Sequence, residues 1–175
     1  MSTDFDAKFC ELRARLISPG GHKGALLFVY DPEGEHVFRR RYDLVVKEME
    51  AEGIPHRRIP LHRLPFEVLE EKQLLERAFE LEFTNPAGLR QNLAALVHRT
   101  LVERIDEATR PASDTVLLLE RTAALYPWVS YSAVLDEIEN RVVNPLLLPF
   151  PGYEQGPLLR FLGEKDGYNY RATRI

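Results

Sequence analysis

The amino-acid sequence predicts a single α/β domain with a mostly parallel sheet of about four to six strands, helices on both faces and a closing C-terminal β-hairpin. Short continuous apolar runs alternate along the chain with longer stretches in which apolar residues recur at helical spacing. The length of 175 residues suits one hydrophobic core. Because the sequence contains no internal repeat and no linker-like segment, residues 1–175 are interpreted as one domain.

The chain opens with a predicted helix and a predicted strand. The helix has apolar residues at helical spacing, namely Phe5, Phe9, Leu12 and Leu16. It is expected to end in the Ser-Pro-Gly-Gly sequence of residues 18–21. Residues 25–30 are apolar throughout, between Gly24 and Asp31, which predicts a strand buried on both faces.

Asp31 can cap a second helix that extends to about Glu52 and stops at Gly53. The inward stripe of this helix comprises Phe38, Tyr42, Val45 and Met49. Strand, sharp turn and helix together form the first half of a parallel crossover. Residues 54–61 then predict a short strand, and its two prolines place it near an edge of the sheet or allow it only a few ladder hydrogen bonds.

Two helices are predicted between the second and third strands. Pro65 suits the first turn of a helix whose apolar residues are Phe66, Leu69, Leu75, Phe79 and Phe83. Asn85 and Pro86 begin the longest helix, whose stripe comprises Leu89, Leu93, Leu96, Val97, Leu101 and Ile105. Residues 110–114 break this pattern, and residues 115–120 predict the third strand.

The last part of the chain predicts one more helix and three strands. The helix extends from about Trp128 to Val142, and a fourth strand over residues 145–150 ends at Pro151-Gly152. Residues 158–162 and 168–174 are predicted to pair as the closing hairpin around residues 163–167, covering one edge of the sheet.

Composition narrows the class of protein. The 23 Lys and Arg residues against 27 Asp and Glu give a formal net charge of −4, which disfavours a basic nucleic-acid-binding module. The single cysteine, Cys10, excludes an internal disulfide and a thiolate-rich zinc site, and its apolar surroundings in the sequence predict a buried side chain. Without a signal peptide or an apolar run long enough to span a membrane, a cytoplasmic protein is expected.

The turn after the first strand is where an α/β nucleotide-binding protein holds its phosphates. Residues 31–35 read Asp-Pro-Glu-Gly-Glu, so the turn offers three carboxylates and a proline instead of consecutive glycine N–H groups. The sequence therefore predicts a Rossmann-like or P-loop-NTPase-like sheet that lacks the phosphate loop, with no cofactor.

Asp31 and Glu120 would both lie near the carboxyl ends of strands, where ligands of open α/β sheets bind. Two carboxylates could hold a divalent cation beside a phosphate substrate. The favoured alternative is structural, in which Asp31 caps its helix and Glu120 pairs with a neighbouring cation. The five histidines lack metal-ligand spacing, so no catalytic or metal-binding residue is assigned.

Arginines supply the local basic concentrations of the sequence. Arg39 and Arg40 begin a run of three on the second helix, and Arg57 and Arg58 lie on the second strand. They are candidates for contact with an acidic partner or a phosphate backbone. The alternative is a solvated surface on which the acidic neighbours Glu35, Asp43 and Glu48 pair with them.

Aromatic residues are the other candidates for partner binding. Tyr126 and Trp128 lie in the turn after the third strand, and Tyr153 follows the fourth strand. Aromatic side chains at such a rim can anchor a protein partner. They can equally pack against the core of their own chain.

An ordered set of short motifs resembles the BrxB family, the small protein B of bacteriophage-exclusion (BREX) defence systems. In the second half of the chain the motifs are YPW at 126–128, PLLL at 145–148, PGY at 151–153, LRF at 159–161 and YNYRA at 168–172. The first half agrees through LFVYDP at 27–32 and FRRR at 38–41, so the resemblance extends over about the whole chain.

The resemblance implies a non-catalytic accessory or scaffold protein of anti-phage defence. It implies binding to a PglZ-like protein of the phosphatase superfamily, with a DNA methyltransferase and an ATPase as further components, to assemble the host-methylation and phage-exclusion complex. Direct DNA binding is expected of these partners rather than of this chain. Two alternatives stay open: a degenerate nucleotide- or metal-binding hydrolase using Asp31 and Glu120, and a nucleic-acid adaptor using the arginines.

Overall fold

The computed structural model describes residues 2–17, 22–109, 114–163 and 172–175. Within them the helices are α1 (Ser2–Ile17), α2 (Glu35–Ala51), α3 (Leu64–Glu71), α4 (Leu75–Thr84), α5 (Pro86–Thr109) and α6 (Tyr131–Ile138). The strands are β1 (Gly24–Tyr30), β2 (His56–Pro60), β3 (Val116–Glu120), β4 (Pro145–Gln155), β5 (Leu158–Phe161) and β6 (Thr173–Arg174). Short 3₁₀ helices at Pro32–Gly34 and Thr122–Leu125 follow β1 and β3.

The strands form a largely parallel sheet in the order β2-β3-β4-β1-β6, and β5 pairs antiparallel with β4. The central pair is β1 with β4, in which Leu27 lies opposite Leu148. The predicted α/β class is therefore confirmed, and β2 lies at an edge of the sheet as its prolines predict.

Helices cover both faces of the sheet. Because successive strand residues point to opposite faces, β1 contributes side chains to the core on each side. Leu26 and Phe28 of β1 belong to the core formed with α1 and α2. Leu27 and Val29, the alternate residues, belong to the core formed with α3, α5 and α6. The continuous apolar runs of the central strands follow from this burial on two sides.

An aromatic cluster fills the face beneath α1 and α2. The ring of Phe28 lies 4.7 Å from Phe9 and 5.2 Å from Phe38, centre to centre. Tyr30, the last residue of β1, stacks on Phe38 at 4.3 Å. The cluster thus fixes α2 against the carboxyl end of β1, which positions the polar residues described below.

Several helix predictions need correction. Cys10 is exposed, because α1 turns its neighbours Phe9 and Leu12 inward. The predicted helix from Pro65 is two helices, α3 and α4, separated where Gln73 adopts a φ of 57°. The helix predicted from Trp128 to Val142 is shortened to α6.

Three of the apolar residues that the sequence places on the helix predicted from Pro65 are exposed: Phe66, Phe79 and Phe83. Of α4, only Ala78 is buried. The main contacts of this helix are with α3 and α5 rather than with the sheet.

The C-terminal strands also differ from the prediction. β4 continues through Pro151 and Gly152 to Gln155 and forms a hairpin with β5, whereas β6 pairs parallel with β1. A Cβ on Gly152 would lie 2.2 Å from the Arg160 carbonyl oxygen, so glycine permits this close pairing. A hairpin is therefore present with different partners; residues 164–171, like the predicted breaks at 18–21 and 110–113, lie outside the described part of the chain.

Candidate functional site

A shallow pocket of about 80 Å³ lies at the carboxyl ends of β1 and β3, beside α2. Its polar lining includes Tyr30, Glu35, Arg39, Tyr42, Arg58 and Glu120. This is the edge at which ligands of open parallel sheets bind. The pocket is therefore the candidate site that the fold itself indicates.

Glu120 and Arg58 form the central ion pair of the pocket. The Arg58 Nε donates a hydrogen bond to Glu120 Oε1, and its Nη2 lies 3.9 Å from Asp43 Oδ1. The hydrogen bond to Glu120 raises the pKa of the Arg58 guanidinium. Only 14% of the Glu120 side chain is exposed, so its carboxylate is largely withdrawn from solvent and neutralised by Arg58.

The Tyr42 hydroxyl lies beneath this ion pair. It is fully buried and makes no hydrogen bond of standard geometry with the residues that the structure describes, although Glu120 is near enough to act on it. Burial raises the pKa of Tyr42, and the negative charge of Glu120 raises it further. The phenol therefore stays protonated at neutral pH.

A second polar group borders the pocket on the α2 side. Tyr30 donates a hydrogen bond to Glu35, and Arg39 Nε donates to the other Glu35 oxygen at 2.6 Å. Burial, followed by the hydrogen bond to Glu35, raises the pKa of the Tyr30 phenol. Because Glu35 and Arg39 are four residues apart on α2, helical geometry alone brings them together.

The chemistry available in this pocket is limited by these pairings. Arg121 adds a third guanidinium at the rim, where its backbone adopts a φ of 56°. The pocket volume has room for a few water molecules. Among the residues that the structure describes, no group of three or more His, Cys, Asp and Glu side chains could hold a metal ion.

Asp31 and Glu120, the two candidate ligand residues, are not brought together. Asp31 Oδ1 accepts a hydrogen bond from the Glu33 N–H at 2.9 Å, which caps the 3₁₀ turn after β1. It also accepts one from the Tyr153 hydroxyl at 3.1 Å. Asp31 therefore caps its turn while Glu120 pairs with Arg58, which is the structural interpretation of these carboxylates.

The candidate arginines are likewise distributed over different surfaces. Arg39 and Arg58 line the pocket, but both are ion-paired there. Arg40 is exposed outside the pocket, and Arg57 points to the opposite face of β2 because successive strand residues alternate. The arginines that the fold brings together are thus those already neutralised by carboxylates.

The candidate aromatic residues lie on a well-anchored part of the carboxyl edge. Tyr126 packs on Phe161 at 5.7 Å, whereas Trp128 and Tyr153 remain 38% and 44% exposed. The Thr122 hydroxyl donates to the Pro149 carbonyl at 2.6 Å and fixes the loop between β3 and α6. This loop presents the Trp128 indole from a firmly held backbone.

Sequence reasoning missed Tyr42 as a member of the site. Helical spacing assigns Tyr42 to the apolar stripe of its helix, and its ring is indeed buried there; nothing in the spacing shows that its hydroxyl lies beneath Glu120. Glu35 carried a readable signal, because an acid four residues before an arginine on a helix predicts their ion pair.

A larger opening of about 310 Å³ lies at the other end of β1 and β4, between His22 and Ala172. Two of its lining residues, His22 and Ala172, directly adjoin segments outside the described ranges. The pocket at the carboxyl edge, whose lining lies within those ranges, is therefore the candidate site. None of the helices in the described ranges is long and apolar enough to cross a membrane.

Comparisons with known proteins address the family of this chain. Neither the curated proteins nor the solved structures provide a match. A family model described as BREX protein BrxB matches residues 57–175, which is more than half of the chain and includes Arg58, Glu120 and Trp128. The motifs at 27–32 and 38–41 lie before the matched residues. The chain therefore belongs to the BrxB family and is a component of a BREX phage-defence system.

Proposed function

We propose that this chain is a non-catalytic accessory or scaffold protein of its BREX system, which binds the PglZ-like protein and helps to assemble the host-methylation and phage-exclusion complex. One observation carries the proposal. The two carboxylates at the sheet edge that were candidates for binding a ligand are engaged by other groups of the same chain. Glu120 pairs with Arg58, and Asp31 accepts hydrogen bonds from Glu33 and Tyr153.

These contacts argue against a divalent-cation site at Glu120. A hard cation needs several oxygen ligands and no competing positive charge. The Arg58 guanidinium occupies the Glu120 carboxylate, and a cation there would have to displace it from a side chain with little access to water. Leaving the arginine without its partner adds a further cost.

The size and charge of the edge also argue against a nucleotide. Sites for small molecules and cofactors have volumes of about 300–1,000 Å³. The pocket at the carboxyl edge has about 80 Å³, and the turn after β1 places Asp31, Glu33 and Glu35 where phosphates would have to lie. These observations support a function exerted by the protein surface.

The exposed aromatic side chains offer the means of contact at this edge. Trp128 and Tyr153 are large, partly exposed and held on anchored backbone. Such residues lose little conformational freedom on binding and often dominate interface energetics. We therefore assign the PglZ-like protein to the surface around Trp128 and Tyr153.

The test is direct binding between purified proteins. The chain is mixed with the PglZ-like protein of the same system at micromolar concentration, and the complex is measured by size-exclusion chromatography with light scattering. Trp128→Ala is expected to weaken the complex by about tenfold or more, the scale of a hot-spot aromatic residue. Leu44→Ala, an exposed apolar residue on α2, is the matched control and should leave the affinity unchanged.

Absence of any complex with the wild-type chain would overturn the proposal. Calorimetric titration with magnesium and ATP separates it from the hydrolase alternative, since we expect no saturable heat. A saturable heat that Glu120→Gln removes would instead favour a ligand site in the pocket.

A further inference from the structure

Helix α4 carries a strip of apolar side chains that the described part of the chain leaves partly or largely uncovered. Phe83 is 87% exposed and Phe79 is 55% exposed, while Ala78 is the only buried residue of the helix. Exposed phenylalanines are costly, because burying such a ring removes a large apolar area from water. Two on one helix therefore call for a functional explanation.

Helical geometry places these side chains on one strip with an acidic border. At about 100° per residue, Leu75, Phe79 and Phe83 follow one another along the helix. Glu76 and Glu80 lie along one side of the strip and Glu82 along the other. The result is an apolar surface enclosed by carboxylates.

The negative charge of the chain is concentrated around this strip. Residues 64–84 contain six Asp and Glu against two Lys and Arg, so this stretch accounts for the whole formal net charge of −4. Arg104 and Arg77 pair with some of these acids. Glu76 and Glu82 make no ion pair with the residues that the structure describes, so the border of the strip remains charged.

This charge decides which occupant the strip fits. A second copy brought face to face would oppose the same carboxylates, and DNA or an anionic lipid surface would be repelled. A protein surface that surrounds an apolar groove with lysine and arginine would gain both the buried area and the complementary charge.

We propose that Leu75, Phe79 and Phe83, with the glutamates that border them, form a docking surface for the basic, apolar groove of another BREX component. The inference rests on the proposed function. It deepens that function, because a scaffold protein needs a second contact surface. Helix α4 packs on α3 and α5 and is separate in the chain from the loop that carries Trp128.

The experiment measures binding of the chain to each purified BREX component, with two variants on the strip. Phe79→Ser with Phe83→Ser removes the rings, and Glu76→Lys with Glu82→Lys reverses the border. Both pairs are exposed, and retention of the fold is checked by circular dichroism and thermal unfolding. We expect each double variant to weaken the same one complex by about tenfold or more, and added salt to weaken the wild-type complex.

Leu44→Ser is the matched control, since Leu44 is 58% exposed on α2, and it should bind as the wild type does. A wild-type complex that both strip variants leave intact would overturn the inference alone. Failure of the wild type to bind any component would overturn the proposed function and the inference with it. Dimerisation of the isolated chain that the phenylalanine variant abolishes would assign the strip to a second copy and overturn the proposed partner.

Discussion

Arg58 on β2 donates a hydrogen bond to Glu120 at the end of β3, and this pair neutralises the carboxylate at the centre of the sheet edge. The two residues are 62 positions apart in the chain and meet only because β2 and β3 are paired. The contact therefore depends on the native pairing of β2 and β3. It also leaves the Glu120 carboxylate neutralised at the carboxyl edge of the sheet.

Glu120→Gln should lower the free energy of unfolding by about 1 kcal/mol, because the Arg58 guanidinium loses a charge-assisted hydrogen bond while Glu120's position stays largely out of water. Urea unfolding followed by circular dichroism measures the change. Arg57→Gln on the opposite face of β2 is the control and is expected to stay within about 0.5 kcal/mol of the wild type. Equal losses in the two variants would show that the ion pair contributes nothing.

Alkaline pH should destabilise the protein through Tyr42. Burial raises the pKa of this phenol in the folded state, with Glu120 adding to the effect. Both states are protonated below the ordinary tyrosine pKa of about 10, so the stability is intact there; above it the unfolded chain ionises first and the stability falls.

The measurement is urea unfolding of the wild type and Tyr42→Phe at pH 8 and at a pH above about 10. The variant lacks the ionisable group, so it should lose less stability between the two pH values than the wild type. Identical losses would show that Tyr42 ionises equally readily in both states.

Gly152→Ala should destabilise the β4–β5 hairpin, because the new Cβ would lie 2.2 Å from the Arg160 carbonyl oxygen and backbone would have to move. Forced overpacking of this kind costs about 1–3 kcal/mol. The neighbouring exposed Tyr153→Phe should change the unfolding free energy by less than about 1 kcal/mol in the same urea titration. An unchanged free energy of unfolding in Gly152→Ala would contradict the close pairing of β4 and β5.

Phe28→Ala should cost about 3–5 kcal/mol of unfolding free energy, since it empties the centre of the aromatic cluster under α1 and α2. Phe66→Ala, on the exposed side of α3, should remain near the wild type. Thermal and urea unfolding of the pair compare a buried and an exposed phenylalanine directly. A large loss at Phe66 would show that its ring is covered.

The parts of the fold that sequence predicts well are those where burial leaves a simple pattern. Residues 25–30 are apolar without interruption because β1 is covered on both faces, and Gly53, with a φ of 67°, marks the end of α2. Helical spacing reveals the apolar side of α4 without showing whether anything covers it. The hairpin partners depend on the close approach at Gly152, which no local pattern encodes.

The candidate site likewise combines contacts that local sequence spacing predicts with contacts that only the tertiary structure reveals. The i and i+4 pairing of Glu35 with Arg39 is local and readable, whereas the Arg58–Glu120 and Asp31–Tyr153 contacts join residues brought together by the sheet. Spacing could therefore nominate the carboxylates at the carboxyl edge. Only the tertiary contacts show that the chain's own side chains engage them.

The acidic border of α4 has a consequence for how the free chain behaves in solution. Repulsion between the carboxylates of two molecules opposes contact between their exposed phenylalanine rings. It therefore limits self-association while no partner covers the strip. This repulsion weakens as salt screens the charges. The purified protein is therefore expected to resist self-association best at low ionic strength.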